Sequence, residues 1–256
     1  MARDISQALR ELMACFPETE EVLSHGSPSF KVRGKTFATY TINHHGDGRV
    51  ALNLDSPPGS QQLYTEMEPE YYFVPPYTGP KGWLGVELNT GISWKTVAAR
   101  VREAYEKAAP KSLIEQIHEP LQAAPPDRPF RPEEIDPFLG KRAEAVLGRL
   151  GDLCDRLPET SRGRQFGNPV WKAGKKTFVS TGYYDGRMSL SFWVGPERQL
   201  ALSDAPRYHI PAYIGHNGWI TLDVEDHADW EEIEDLLLES YRHFALKRML
   251  KALGEA

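Results

Sequence analysis

The chain has 256 residues, more than one ordinary domain needs and enough for two units that each bury a modest core. Its net charge of −6 excludes a surface covered in basic charge, although a local basic patch is still compatible with it. No apolar run approaches the roughly 20 residues of a membrane helix, and the N-terminal stretch lacks the apolar segment of a signal peptide. We therefore expect a cytoplasmic protein without a membrane partner.

The first predicted element is a helix that Asp4 caps and Pro17 ends, because apolar residues between them recur at helical spacing. A short helix is expected over 57–67. Ser93 is predicted to cap a long amphipathic helix. Alternating apolar residues and tight turns predict strands over 29–32, 36–43, 49–54 and 83–88.

The stretch from Pro17 to Phe37 occurs twice, without a gap. Its letters, PETEEVLSHGSPSFKVRGKTF, correspond to PETSRGRQFGNPVWKAGKKTF from Pro158 to Phe178. The loop PPYTGPKGW, which ends at Trp83, likewise corresponds to PAYIGHNGW. The two loops are closer to each other in the sequence than the two longer stretches are, because the second copy lacks the insert that holds His44 and His45 in the first.

The duplication predicts an α+β fold of two repeated units, each an antiparallel sheet flanked by helices. We place the units at 1–118 and 138–256, and the intervening 119–137 is rich in proline and predicted to be a linker. We expect the two units to pack on each other as an intramolecular pseudo-dimer in a monomeric chain.

A pattern of glycine, proline, aromatic and lysine residues resembles the MmcQ/YjbR family, and the resemblance extends over nearly the whole chain, once per copy. It implies a compact unit with a CyaY-like or secretion-chaperone-like topology. It also implies DNA binding, since the family is labelled so from a double-wing arrangement of hairpins, and it brings no catalytic residues. The matching residues of the first copy are His25, Gly26, Pro28, Phe30, Lys35, Thr36, Phe37, Pro75, Pro76, Tyr77, Gly79, Gly82 and Trp83.

DNA is the first partner that we consider. The segment 161–176 carries five cations and no acid, with Phe166 and Trp171 between them. Such a segment can follow a phosphate backbone and stack bases. The alternative is a solvated hairpin whose aromatic rings face the core. The residues predicted to contact DNA are Arg33, Lys35, Arg162, Arg164, Lys172, Lys175 and Lys176.

The loop rich in tyrosine and tryptophan supports a different hypothesis. A small-molecule binding or sequestration protein would use aromatic side chains to line a pocket, here expected between the two units. The structural alternative is that each tryptophan fills a core while glycine and proline only fix the turn. The predicted pocket residues are His25, Tyr77, Trp83, Tyr213 and Trp219.

A third hypothesis is an enzyme that uses His25 as a general base, but no serine or cysteine nucleophile motif accompanies this histidine. His44 and His45 lack a third ligand at a useful spacing, so we predict no metal and no other cofactor. Cys15 and Cys154 do not correspond between the copies and are expected to be inert buried thiols. We therefore predict a binding protein without catalytic activity.

Overall fold

The computed structural model describes residues 3–118, 121, 124–184 and 186–254. It contains two compact units, Met1–Pro137 and Phe138–Ala256. Each unit is a six-stranded antiparallel sheet with helices, so the predicted α+β fold of two repeated units is confirmed. Within the described ranges, no helix is both long enough and apolar enough to cross a membrane.

The first unit contains five α-helices and six strands over its described residues. In chain order these are α1 Ile5–Met13, β1 Thr19–Ser24, β2 Ser27–Val32, β3 Lys35–Ile42, β4 Val50–Leu54, α2 Ser60–Met67, β5 Tyr72–Phe73, β6 Leu84–Glu87, α3 Trp94–Ala108, α4 Lys111–Ile114 and α5 Pro132–Ile135. The strand order across the sheet is β1-β2-β3-β4-β6-β5.

The second unit repeats this arrangement. Its elements are α6 Lys141–Cys154, β7 Thr160–Gln165, β8 Asn168–Ala173, β9 Lys176–Tyr184, β10 Arg187–Trp193, α7 Gly195–Leu202, β11 Tyr208–His209, β12 Trp219–Asp223, α8 Trp230–Phe244 and α9 Lys247–Ala252. The sheet order β7-β8-β9-β10-β12-β11 reproduces that of the first unit strand for strand.

Each sheet begins with a strand that the sequence pattern did not predict. The letters of β1 and β7, TEEVLS and TSRGRQ, show no strict alternation of apolar and polar residues. Both strands form because a two-residue turn folds them back onto the following strand. The turns are His25-Gly26 and Phe166-Gly167, in which all four residues have positive φ, as a type I′ hairpin requires.

An aromatic contact anchors the long helix of each unit to its sheet. Tyr105 of α3 packs edge-on against Phe37 of β3, with ring centroids 5.5 Å apart. Its hydroxyl donates a hydrogen bond of 2.7 Å to the backbone carbonyl of Pro17. The corresponding residues of the second unit are Tyr241, Phe178 and Pro158, with distances of 5.4 and 2.7 Å.

The described part of the predicted linker packs on the first unit. The Asn89 side chain accepts a hydrogen bond of 2.7 Å from the backbone N–H of Phe130 and donates one of 3.1 Å to its carbonyl. Phe130 and Ile135 also lie against the first core. The described part of this stretch therefore contributes contacts to the first unit.

Two local details of the first unit bear on the predicted helix starts. Asp4 caps α1 as predicted, because its side chain accepts from the backbone N–H of Gln7. Ser93 stands at the N-cap position directly before α3, but its side chain makes no capping hydrogen bond. The serine thus marks the start of that helix without capping it.

Removing the Tyr105 or the Tyr241 hydroxyl tests the shared anchor. We expect Tyr105→Phe and Tyr241→Phe each to lower the free energy of unfolding by about 1 kcal/mol, because each loses one hydrogen bond while the ring stays packed. Urea unfolding monitored by circular dichroism measures this. Tyr213→Phe is the control, since that side chain is 94% exposed, and an equal loss in the control would contradict the prediction.

Candidate functional site

A pocket of about 590 Å³ lies on the face of the first sheet opposite its helices. Its floor is a row of side chains from three neighbouring strands, because Ser29 pairs with Thr39 and Thr39 pairs with Asn53. The row continues to Gly85, which pairs with Phe73. Strand alternation explains the floor: neighbouring residues such as Phe30 and Leu52 point to the helices, so these side chains point away from them.

Loops at one end of the sheet form the walls of the pocket. His25 comes from the β1–β2 turn, while His44, His45 and Asp47 come from the β3–β4 connection. Further wall residues are Phe73 at the end of β5 and, in the loop that follows it, Pro76, Tyr77 and Thr78.

Three of the wall rings contact one another. The His44 and His45 imidazoles have centroids 4.1 Å apart, and the Tyr77 ring meets both edge-on at 6.1 and 5.9 Å. The Tyr77 hydroxyl lies 3.2 Å from Nε2 of His45. Burial, and after it the neighbouring His45, lowers the pKa of His44 below the ordinary histidine value, so this imidazole is neutral at pH 7.

The wall contains unusual backbone geometry. Asn43, His45 and Tyr77 have φ values of 52°, 54° and 63°. A bulky tyrosine seldom adopts this left-handed region, and such strain often marks a ligand clamp or another functional site. Tyr213, the counterpart of Tyr77 in the second unit, has a φ of 67°. The loop conformation therefore belongs to the repeated fold and does not depend on the histidines.

Two polar atoms in the pocket lack a partner. Oδ1 of Asn53 and Oγ1 of Thr78 are buried, and neither forms a hydrogen bond with any residue that the structure describes. A buried oxygen left without a hydrogen bond costs about 1–3 kcal/mol. Both residues line the cavity. Because neither oxygen is open to solvent, a ligand would reach it only after a rotation of that side chain.

The equivalent row of the second unit is built differently. Val170 stands at the position of Ser29, and Ser191 stands at the position of Asn53. Ser191 shares a hydrogen bond of 2.8 Å with Thr221, which replaces the glycine of the first unit. Ile214 replaces Thr78. The second unit thus satisfies or removes the polar groups that the first unit leaves without partners.

The structure brings two of the five predicted pocket residues together, since His25 and Tyr77 both line the first unit's cavity. Trp83 is half-buried and is not a lining residue; its carbonyl accepts a hydrogen bond from Gln61. In the second unit, Tyr213 is 94% exposed. Trp219 is buried, with its ring 5.7 Å from that of Phe244.

The basic residues predicted to contact DNA do not form one uniform group. Arg33 is held by Glu18, with Nη2 2.7 Å from a carboxylate oxygen. The guanidinium of Arg162 lies over the Trp171 ring at 5.2 Å, and Arg164 donates to the Gly167 carbonyl. Lys172 is half-buried, and three lysines are exposed, namely Lys35, Lys175 and Lys176.

The two aromatic residues of the basic segment have opposite environments. Trp171 is fully buried in the second core and is therefore unable to stack on a base. Phe166 is 81% exposed at the tip of the β7–β8 hairpin. Trp171 therefore faces the core, as the alternative of a solvated hairpin predicted. Phe166 is the ring of this segment that remains exposed.

The cysteines and acidic side chains of the described residues do not gather into one group. Across the described ranges, no group of three histidine, cysteine, aspartate or glutamate side chains is placed to hold a metal ion. Burial raises the pKa of the Cys154 thiol, which keeps it protonated. Cys15 is half-buried, and its sulfur donates to the Glu11 carbonyl at 3.4 Å.

Sequence reasoning missed the floor of the pocket. Ser29, Thr39 and Asn53 stand in strands that were predicted from their alternating apolar residues, and no role was predicted for the polar residues between them. Strand alternation would have placed the three side chains on one face. The pairing register, which brings them into one row, depends on turn lengths and on a bulge between Phe30 and Lys31.

The comparisons with known proteins bear on the family of this chain. The family model described as YjbR matches residues 14–107 and 155–243, once in each unit. The crystal structure of Deinococcus radiodurans protein DR2400, described as a DUF419 domain, has 23% sequence identity and a TM-score of 0.36. The match covers 43% of this chain and 88% of that one. No curated protein matches the chain.

The depressed pKa of His44 predicts a dependence of stability on pH. The folded pKa lies below the ordinary value of 6.5, so the unfolded chain binds the proton more readily. The stabilising contribution is complete above about pH 6.5 and is lost as the pH falls below it. Urea unfolding at pH 7.5 and 5.5 should show a smaller acid loss for His44→Asn than for the unmodified protein.

The control for this experiment is His227→Asn, which changes an exposed histidine of the second unit. Between pH 7.5 and 5.5, the free energy of unfolding of this control variant should fall by as much as that of the unmodified protein. Burial also lowers the pKa of His243, but this histidine is present in both variants and leaves their comparison unaffected. An identical acid loss in the His44 and His227 variants would contradict the prediction.

Proposed function

The chain belongs to the YjbR family, and we propose that it is a binding protein that holds a small organic molecule in the pocket of its first unit. The observation that carries this proposal is the pair of buried oxygens of Asn53 and Thr78, which lack partners in a cavity of about 590 Å³. This volume lies within the range of roughly 300–1,000 Å³ that ligand pockets have in other proteins.

The internal duplication supports the proposal. The second unit has the same strand order, yet Val170 and Ile214 occupy the positions of Ser29 and Thr78. The fold is therefore compatible with an apolar lining, and fold stability alone does not account for the polar lining of the first unit. Binding accounts for it, because a ligand would supply the hydrogen bonds that Asn53 and Thr78 lack.

DNA binding by the basic hairpins of the second unit is the second candidate. One observation favours it: over the described residues, Arg162, Lys172, Lys175 and Lys176 form no ion pair, so their charges remain available for phosphates. Against it stand the buried Trp171 and the pairing of Arg33 with Glu18. Burial of Trp171 removes one ring that was expected to stack on bases. The ion pair with Glu18 offsets the positive charge of Arg33 at the first hairpin.

The small-molecule proposal is tested by titrating the full chain with a fragment library and recording amide NMR spectra. We expect at least one fragment to shift the Asn53 and Thr78 signals. The double variant Ser29→Val/Thr78→Ile, which introduces the second unit's residues, should weaken binding of that fragment at least tenfold because it fills the cavity and removes polar groups.

The matched control is the reverse change in the second unit, Val170→Ser/Ile214→Thr, which should leave the affinity unchanged. If no fragment shifts the lining residues, or if every fragment that binds tolerates the filled pocket, the small-molecule proposal is wrong.

The DNA proposal has a separate test. Fluorescence anisotropy with a labelled duplex at low salt should show binding that weakens with added salt. Lys175→Ala/Lys176→Ala should reduce the slope of log K against log salt by about two, since each phosphate contact contributes about 0.9. Lys95→Ala/Lys141→Ala removes two other exposed lysines as the control. Lack of binding at low salt would remove this candidate.

A further inference from the structure

We infer that the ligand of the first unit's pocket is an uncharged, planar heteroaromatic molecule whose ring edge carries an N–H donor next to an acceptor. This inference rests on the function proposed above and specifies the class of molecule that fits the same cavity. Three properties of the pocket lead to it: the charge of its lining, the shape of its floor and walls, and the hydrogen-bonding group at its centre.

The charge of the lining disfavours an anionic ligand. Among the described residues that line the cavity, none is a lysine or an arginine, and Asp47 contributes a carboxylate. A phosphate or carboxylate group is recognised mainly by guanidinium, ammonium or several backbone N–H groups. Burial lowers the pKa of His44, so this imidazole adds no positive charge at pH 7. An uncharged molecule avoids desolvating a charge without a partner.

The shape of the pocket favours a flat molecule. The floor is a sheet surface covered with the small side chains of Ser29 and Thr39, whose hydroxyls lie 3.3 Å apart. Beside it, the Phe73 ring lies over Gly85, where a Cβ atom would come within 2.7 Å of the ring. Tyr77 stands at the mouth and is 72% exposed, so much of its ring surface is open to a stacking partner.

The hydrogen-bonding group at the centre of the floor is the Asn53 amide. Its Oδ1 is buried without a partner, and over the described residues its amide forms no side-chain hydrogen bond. A carboxamide offers a donor and an acceptor side by side. It therefore matches a ring edge with the complementary pair, as asparagine does when it reads the N6 and N7 positions of adenine. Thr78 adds a hydroxyl that accepts or donates.

The second unit provides the reason to assign specificity to Asn53. There the equivalent residue is Ser191, whose hydroxyl is already bonded to Thr221. His209 replaces Phe73 and stacks on Tyr184, with ring centroids 4.5 Å apart. The second unit thus fills its own row with internal contacts, whereas in the first unit Asn53 has no such side-chain partner among the described residues and the Tyr77 side chain is 72% exposed.

The test compares probes that differ by one feature, using isothermal titration of the full chain. Adenosine carries the donor and acceptor edge, its N6,N6-dimethyl derivative lacks the donor, adenosine 5′-monophosphate adds charge, and p-cresol lacks ring nitrogens. We expect adenosine to bind more tightly than each of the others, with at least a tenfold loss on dimethylation. Asn53→Ser should weaken adenosine binding by about tenfold and remove the preference over the dimethyl compound.

The control Ser191→Asn changes the corresponding residue of the second unit and should leave the titrations unchanged. If the monophosphate or p-cresol binds more tightly than adenosine, or if Asn53→Ser keeps the preference, the inferred class of ligand is wrong while the pocket remains a binding site. If adenosine does not bind but fragments of the library do, only the inferred class of ligand is wrong. Failure of the entire fragment library overturns the proposed function together with this inference.

Discussion

The packing of the long helix on one face of each sheet is the constraint on which the rest of the structure depends. Tyr105 and Tyr241 fix this packing twice over, through the ring contact with a strand phenylalanine and through the hydrogen bond to the proline carbonyl before the sheet. Once one face is assigned to the core, strand alternation assigns every second side chain to the opposite face. The floor of the pocket is a direct result of that division.

The two units share this framework and differ in how they use the opposite face. In the second unit, serine and threonine hydroxyls bond to each other across the strands. In the first unit, Asn53 has Gly85 as its cross-strand neighbour and therefore lacks such a partner. The longer β3–β4 connection then places His44 and His45 beside Tyr77. A few substitutions and one insertion thus distinguish the second unit, whose polar side chains bond to each other, from the first unit, which has an open cavity.

Much of the fold followed from the amino-acid sequence because its signals are local. Asp4, the positions of glycine in the hairpin turns and the alternation in β3 and β4 each depend on a few neighbouring residues. The edge strands β1 and β7 were missed because backbone pairing forms them, and their side chains leave no clear pattern.

The candidate site was only partly predictable for a related reason. His25 and Tyr77 were predicted as pocket residues because one is a histidine in a loop and the other is an aromatic residue near prolines. Asn53 is an ordinary polar residue in a strand, and its lack of a partner becomes evident only when the register shows which side chains face it. Lys175 and Trp171 were both predicted from the sequence as parts of one basic and aromatic segment. In the structure, Lys175 is exposed to solvent and Trp171 is buried in the core.

The left-handed backbone of Tyr77 and Tyr213 has a consequence for protein engineering. Both units maintain this costly conformation, and in both a glutamine of the preceding helix, Gln61 or Gln199, donates to two carbonyls of the loop. The loop thus keeps the same backbone bonds in both units although several of its side chains differ. The second unit therefore offers a scaffold on which a recognition surface of chosen selectivity can be installed by substituting the side chains of this loop.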